Sequence, residues 1–498
     1  MYNYLIQRSE KAVWIMDIKE KIGQLIISRP RAKDIEKSVR DGIVGGIYVP
    51  PDFNIEQVKK FKYARKIPLI VAADLECGEL SGCESWPCAL AAAQSGKKSV
   101  YEWAKAQATE ARAVGVDAVF GPVFDVAFTR QGIATGYRPF GETPEAVADI
   151  GYEAVRGYQD GGLLTFCKHF PGFGRAEDDA HISLSSINVG KDTFMREDML
   201  PYLRSAYQDP VISGVMTGHI SIPCIDEIPS PMSEKIIALL RNSGFNGLII
   251  TDSLAMKSIQ FFYTEEQLYV GALKAGHDMI VADYNTDDRE GFEWIYKAYK
   301  DGVLTEKEID EKTDRILAAK KRLAEIKPEK PDHARDSALF NRMSYDAVKA
   351  GKPVDTSKKT LFVIADEKSA AVSGEVAFSS KGTGALTALA KKRFINCEFF
   401  PTDICPSADT IADILLAGLR CEQVVFIVHA PVKAYAGTSR FHKPMLSLID
   451  GMKRRIAAVA VWGNPFAADD LPDGINTYIC YDFGDFAAAL FDKMTRNE

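Results

Sequence analysis

The chain has 498 residues, a net charge of −7, and a composition 46% hydrophobic and 26% charged. That length exceeds what one ordinary core organises, so two domains are expected. The acidic balance carries no polyanion-binding signal and argues against a nucleic-acid partner. No apolar run reaches the roughly 18 residues of a membrane span, so no membrane partner is expected.

The first 24 residues, MYNYLIQRSEKAVWIMDIKEKIGQ, lack a basic start, an apolar core and a small-residue cleavage site. No secretory signal is expected. The nine cysteines are scattered and form no CxxC pair. Cys77, Cys83 and Cys88 lie close together, but no His or fourth Cys stands near them at zinc-ligand spacing. They read as reduced thiols, which makes a cytoplasmic location the expectation. No metal and no cofactor are expected.

Residues 22–28, 45–49, 68–76, 118–126, 163–169, 211–219, 247–254 and 277–284 read as eight short strands. Amphipathic stretches separate them, as at 100–114, 144–159, 233–242 and 289–300. The strands are apolar on both faces, as parallel strands covered by helices should be. This pattern predicts a TIM-type (β/α)8 barrel over residues 1–325, closed by a long helix at 305–327. A doubly wound open sheet is the alternative.

Residues 326–357 are rich in Pro and charge, with a short helical pattern at 338–350, and read as a connector. From 358 to 498 the strand-helix alternation resumes. Strand patterns lie at 361–367, 397–401, 423–430 and 457–465, and helical ones at 384–392, 410–419 and 443–455. This predicts a smaller α/β sandwich domain. It carries no GxGxxG after a strand and no Walker loop, so no nucleotide site is expected.

The most informative stretch is KHFPGFGRAEDDAH at 168–181. An apolar strand presents Lys168 and His169 at its tip. A Gly- and Pro-rich loop then carries Asp179 and His181. A second apolar strand, in GLIITDSLAMKSI at 247–259, ends in Asp252. Asp74, Glu76, Asp125, His219 and Asp283 also stand at strand ends, where a barrel keeps its chemistry. One such residue alone reads as a loop hydrogen bond; their concentration on one rim points to a site. Two groups flanking a sugar suffice for glycoside hydrolysis, one attacking the anomeric carbon and one protonating the leaving oxygen. Asp252 suits the nucleophile. His181 suits the acid/base near neutral pH, oriented by Asp179. A surface Asp179–His181 pair is the bland reading. A Lys at a strand tip also leaves Schiff-base chemistry on Lys168 open.

These motifs resemble those of glycoside hydrolase family 3, in its β-N-acetylglucosaminidase branch. The family's KHFPGHG followed by DSH stands here as Lys168-His169-Phe170-Pro171-Gly172-Phe173-Gly174 and Asp179-Ala180-His181. Its ITDDL-M stands as Ile250-Thr251-Asp252-Ser253-Leu254-Ala255-Met256. PLIVAADLECG at 68–78, GPVFDV at 121–126, Arg138 in YRPFGETPE, VMTGHI at 215–220, IGQLII near the start and AGHDMIV at 275–281 also match.

The resemblance implies a retaining exo-β-glycosidase acting on terminal N-acetylglucosamine through a covalent glycosyl-enzyme on Asp252. His181 is the implied acid/base, assisted by Asp179. Asp74, Arg138, Lys168 and His169 are the implied sugar-holding residues, under a loop that closes on substrate. The implied context is turnover of cell-wall or related amino-sugar fragments. Phosphorolysis, another sugar, and an inactive sugar-binding protein are the variants. The chain departs from the pattern at Phe173, Arg175 and Ala180, and it has no Arg in the stretch after Asp74, where the family reads DxEGGRVQR. That loss bears on which sugar is accepted.

Overall fold

The computed structural model describes residues 16–29, 34–51, 53–54, 57, 60, 62, 65–76, 78, 80–130, 136–177, 182–209, 211–366, 383–431, 440–481 and 485–496. Ten strands come first: β1 (Ile26–Ser28), β2 (Gly46–Val49), β3 (Ile70–Ala73), β4 (Ala118–Val119), β5 (Leu164–Phe170), β6 (Ser185–Ser186), β7 (Gly214–Thr217), β8 (Ile220–Ser221), β9 (Leu248–Ser253) and β10 (Met279–Val281). Eight of them close a parallel barrel, while β6 and β8 pair with each other outside it. Each barrel strand pairs with the next in the chain, and β10 returns to β1 with Ile280 beside Ile26. The expected barrel is therefore present.

Local chemistry explains where the elements start and stop. Thr143 caps the helix Pro144–Asp160, whose leading proline sits where a missing N–H costs nothing. Thr305 and Glu308 form a reciprocal capping box that starts the closing helix Glu306–Glu325. A capping box of Asp17 and Glu20 also corrects the expected first strand. It starts a helix, Ile18–Gln24, so only Ile26–Ser28 remains extended. The expected strand at 118–126 is cut short as well. Gly121 and Pro122 interrupt its ladder, and pairing resumes only as a single bridge from Val123 to Lys168.

The second sheet contains β11 (Thr360–Asp366), β12 (Cys397–Asp403), β13 (Gln423–Ala430), β14 (Ile456–Gly463) and β15 (Thr477–Cys480), all parallel, in the order β12-β11-β13-β14-β15. The last strand and the helix Phe486–Thr495 lay beyond the predicted elements. The two-residue period of β11 sorts its side chains. Leu361, Val363 and Ala365 enter one core, Phe362 and Ile364 the other.

That other core also holds Leu90, Ala127 and Tyr137 from the barrel half, so the two halves share packing. The helix His333–Ala347, within the expected connector, sits across the join. Its Leu339, Phe340 and Met343 pack into the barrel core, and Ala347 packs into the second domain's. Cys88 is buried in the shared core, and Cys77 lies outside the described residues.

Charges buried where barrel strands begin are matched. Asp117, just before β4, pairs with Lys62 at 2.5 Å and with Arg112. Asp278, just before β10, holds Arg241 and Arg315 at 2.7 Å each. This end of the barrel is built for stability, which leaves the opposite rim for chemistry.

Candidate active site

At the rim where the strands end, Asp252, on β9, lies on a cavity of about 210 Å³ that Asp74, Arg138, Lys168 and His169 also line. Five of the seven residues given a catalytic or sugar-holding role from the sequence thus meet in one place. The other two, Asp179 and His181, lie outside the described residues. A larger cavity of about 430 Å³ lies on the outer wall among Met232, Tyr263, Val270 and Lys297. It contains none of the strand-tip residues, so the smaller one is the candidate site.

The rim is a web of paired charges. Lys168 Nζ lies 2.5 Å from Asp74 Oδ1 and 2.7 Å from Glu76 Oε1. Arg138 donates to the same Glu76 oxygen at 3.0 Å. Tyr48 donates its hydroxyl to Asp74 Oδ2 at 2.7 Å. Burial opposes a charge on Glu76, but Lys168 and Arg138 beside it outweigh that and hold its carboxyl down at about 2. Burial likewise opposes the Lys168 ammonium, yet the carboxylates of Asp74 and Glu76 raise its pKa above the ordinary 10.5. A Schiff-base lysine needs the reverse, a free amine near neutral pH. The pairing therefore makes Lys168 a fixed cation and hydrogen-bond donor.

His169 is set by Asp125, a fully buried carboxylate beyond β4. Asp125 Oδ2 accepts from His169 Nδ1 at 2.6 Å, which leaves Nε2 facing the cavity, 3.4 Å from Arg138 Nη2 and 3.9 Å from Asp252 Oδ2. The Asp252 side chain remains 22% exposed, enough to meet a ligand. Its burial disfavours charge. The imidazoles of His169 and His219, the Ser253 N–H at 2.6 Å and the Lys168 ammonium more than compensate, and the pKa falls below 3.8. A carboxylate that stays ionised on a rigid strand end is what a nucleophile requires.

The loop after β5 is anchored at its start. Phe173 N–H donates to Asp125 Oδ1 at 2.7 Å. Gly174 presses on the backbone, where a Cβ would come within 1.7 Å of Val126 O. Arg175, one of the departures from the family pattern, grips both oxygens of Asp198 at 2.9 and 3.1 Å, bonds Glu197 and lies over Phe128 at 3.8 Å. These contacts fix the start of the loop as far as Arg175.

The cavity has members the strand-tip reading passed over: Arg29, Tyr48, Phe120 and Tyr284. Arg29 follows β1 directly, so the rim rule applied to the first strand picks it out. Tyr48 and Phe120 lack such a signal, because an aromatic residue at a strand end reads as core. Among the described residues no cluster of three or more His, Cys, Asp or Glu could hold a metal ion. Among them, too, no helix is long and apolar enough to cross a membrane.

A family model described as the glycosyl hydrolase family 3 N terminal domain matches residues 17–319, more than half of the chain. The chain belongs to glycoside hydrolase family 3. The "beta-N-acetylglucosaminidase/beta-glucosidase" of Cellulomonas fimi is 33% identical over 275 residues, covering 51% of this chain and 47% of its own length. "Beta-hexosaminidase A" of Pseudoalteromonas piscicida is 26% identical over 302 residues, covering 55% and 50%. The chain thus spans about half the length of these two curated relatives. Among solved structures, a glycoside hydrolase family 3 beta-N-acetylglucosaminidase from Paenibacillus sp. str. FPU-7 has a TM-score of 0.83 at 24% identity, covering 96% of each chain. The likeness of fold therefore extends through the second domain.

Proposed function

We propose that this family 3 chain is a retaining exo-β-glycosidase that releases terminal β-linked N-acetylglucosamine. The observation that carries the reading is the convergence of an ionised Asp252 with Asp74, Arg138, Lys168 and His169 on one small cavity. At about 210 Å³ the cavity is below the roughly 300 Å³ at which drug-sized sites begin, which suits a single sugar unit. The names of the relatives support an amino sugar.

In this reading the paired donors and acceptors of Arg138, Lys168, His169 and Asp74 take the ring hydroxyls. Asp252 attacks the anomeric carbon as His181 gives a proton to the leaving oxygen. The C–O bond to the aglycone breaks and a glycosyl ester forms on Asp252. His181, now neutral, removes a proton from water, which displaces Asp252 and restores the β configuration. Asp179 orients the imidazole and stabilises its charged form.

Turnover of a panel of 4-nitrophenyl β-glycosides, with and without phosphate, tests the proposal. Preference for the N-acetylglucosaminide, with water as acceptor, supports it. Phosphate acceleration makes the chain a phosphorylase, and preference for a glucoside or xyloside moves the sugar assignment. Binding without turnover of any of them leaves a sugar-binding protein.

A further inference from the structure

The cavity holds three cationic side chains, Arg29, Arg138 and Lys168. Arg138 and Lys168 are matched to Glu76 and Asp74. Arg29 enters no ion pair among the described residues, and its Nε is buried without a hydrogen-bond acceptor among them. A buried donor left without a partner carries a cost that a native structure offsets elsewhere.

Arg29 is nonetheless well held. Its guanidinium carbon lies 4.6 Å from the centre of the Tyr284 ring and 5.2 Å from that of Tyr48. Tyr48 is fixed in turn by its bond to Asp74 and by stacking on Phe120 at 5.5 Å, with the rings 2° from parallel. Two aromatic rings steady a guanidinium while leaving its in-plane donors to another group. A solvated rim arginine would have neither the rings nor the buried Nε. Resting on the glycosidase reading of this cavity, we infer that Arg29 is a specificity-determining residue that binds an oxyanion, a carboxylate or a phosphate, carried by the sugar or entering as free phosphate. The guanidinium fork matches such groups in shape and charge. It also supplies a cation to the cavity of a chain that has no arginine in the stretch after Asp74.

The test is equilibrium binding to the full chain by calorimetry, because binding reads Arg29 whether or not glycosides turn over. The probes are N-acetylglucosamine, its 6-phosphate, N-acetylmuramic acid with its carboxylate on O3, and inorganic phosphate. An anionic sugar is expected to bind about tenfold or more tighter than the neutral one if the oxyanion is carried by the sugar. Saturable inorganic phosphate binding identifies the free anion instead. In either case Arg29→Gln removes the anion's advantage. Arg29→Lys, which keeps the charge but not the fork, retains part of it. The inference is overturned if no anionic sugar binds better than the neutral one and inorganic phosphate shows no saturable binding, or if Arg29→Gln leaves the binding of the anion unchanged. Loss of the glycosidase reading appears separately, as absence of 4-nitrophenyl glycoside turnover by the wild-type chain.

Discussion

Asp125 grips His169 twice, through Nδ1 at 2.6 Å and through the backbone N–H at 3.2 Å. With the bond from Phe173 N–H, one buried carboxylate ties the strand tip to the loop that follows. Asp125→Asn keeps the shape but sets an amide against the Nδ1 proton, so the ring must turn or change tautomer. A misplacement of this kind costs about 10- to 100-fold in kcat/KM. Steady-state kinetics on the 4-nitrophenyl N-acetylglucosaminide check it, and an unchanged value would remove His169 orientation from the mechanism.

Asp252→Ala is expected to lower turnover on the order of 10⁴-fold or more, because no other carboxylate takes over the attack. His181→Ala should slow poor leaving groups by about 10²-fold or more and 4-nitrophenol much less, since an activated leaving group needs little protonation. Equal losses on both substrate types would argue against the acid role.

Lys168→Met leaves Asp74 and Glu76 facing each other without their shared cation. Breaking a buried pair from one side costs about 3–5 kcal/mol. Urea unfolding should show that loss, and adding Glu76→Gln should recover part of it. Borohydride with substrate should leave no adduct on wild-type Lys168; a trapped adduct would restore the Schiff-base reading.

Lys320 is fully buried and bonds Gln24 Oε1 at 2.6 Å and Gly45 O at 3.0 Å. Burial lowers its pKa from 10.5 to about 7. Between those values the unfolded chain keeps a proton that the folded chain has released. Stability attributable to this residue therefore rises with pH across that window, and the cost of burying the charge is fully present below it. In Lys320→Met that dependence disappears. The wild-type chain should gain on the variant in denaturant midpoint from about pH 7 to pH 9. A constant difference would mean that Lys320 does not titrate there.

The elements and the polar residues at the strand tips were legible in the chain because their signals are local. Apolar runs with Asp252, Lys168 and His169 at their ends mark strands and their tips, and the period of β11 and β13 marks a sheet with two covered faces. Asp17 and Glu20, which start a helix in an apolar stretch, and Gly121 with Pro122, which stop a strand early, are local signals too, but the apolar runs around them hide them. Only tertiary structure decided the rest. The charge web joins residues far apart in sequence: Tyr48 reaches Asp74 across 26 positions, and Lys168 reaches it across 94. Such pairing arises when eight parallel strands close and bring their ends to one rim, and no sequence period records it. Arg29 belongs to that second class: its place after β1 is local, but its two aromatic rings, and a buried Nε with no acceptor among the described residues, exist only in the closed barrel.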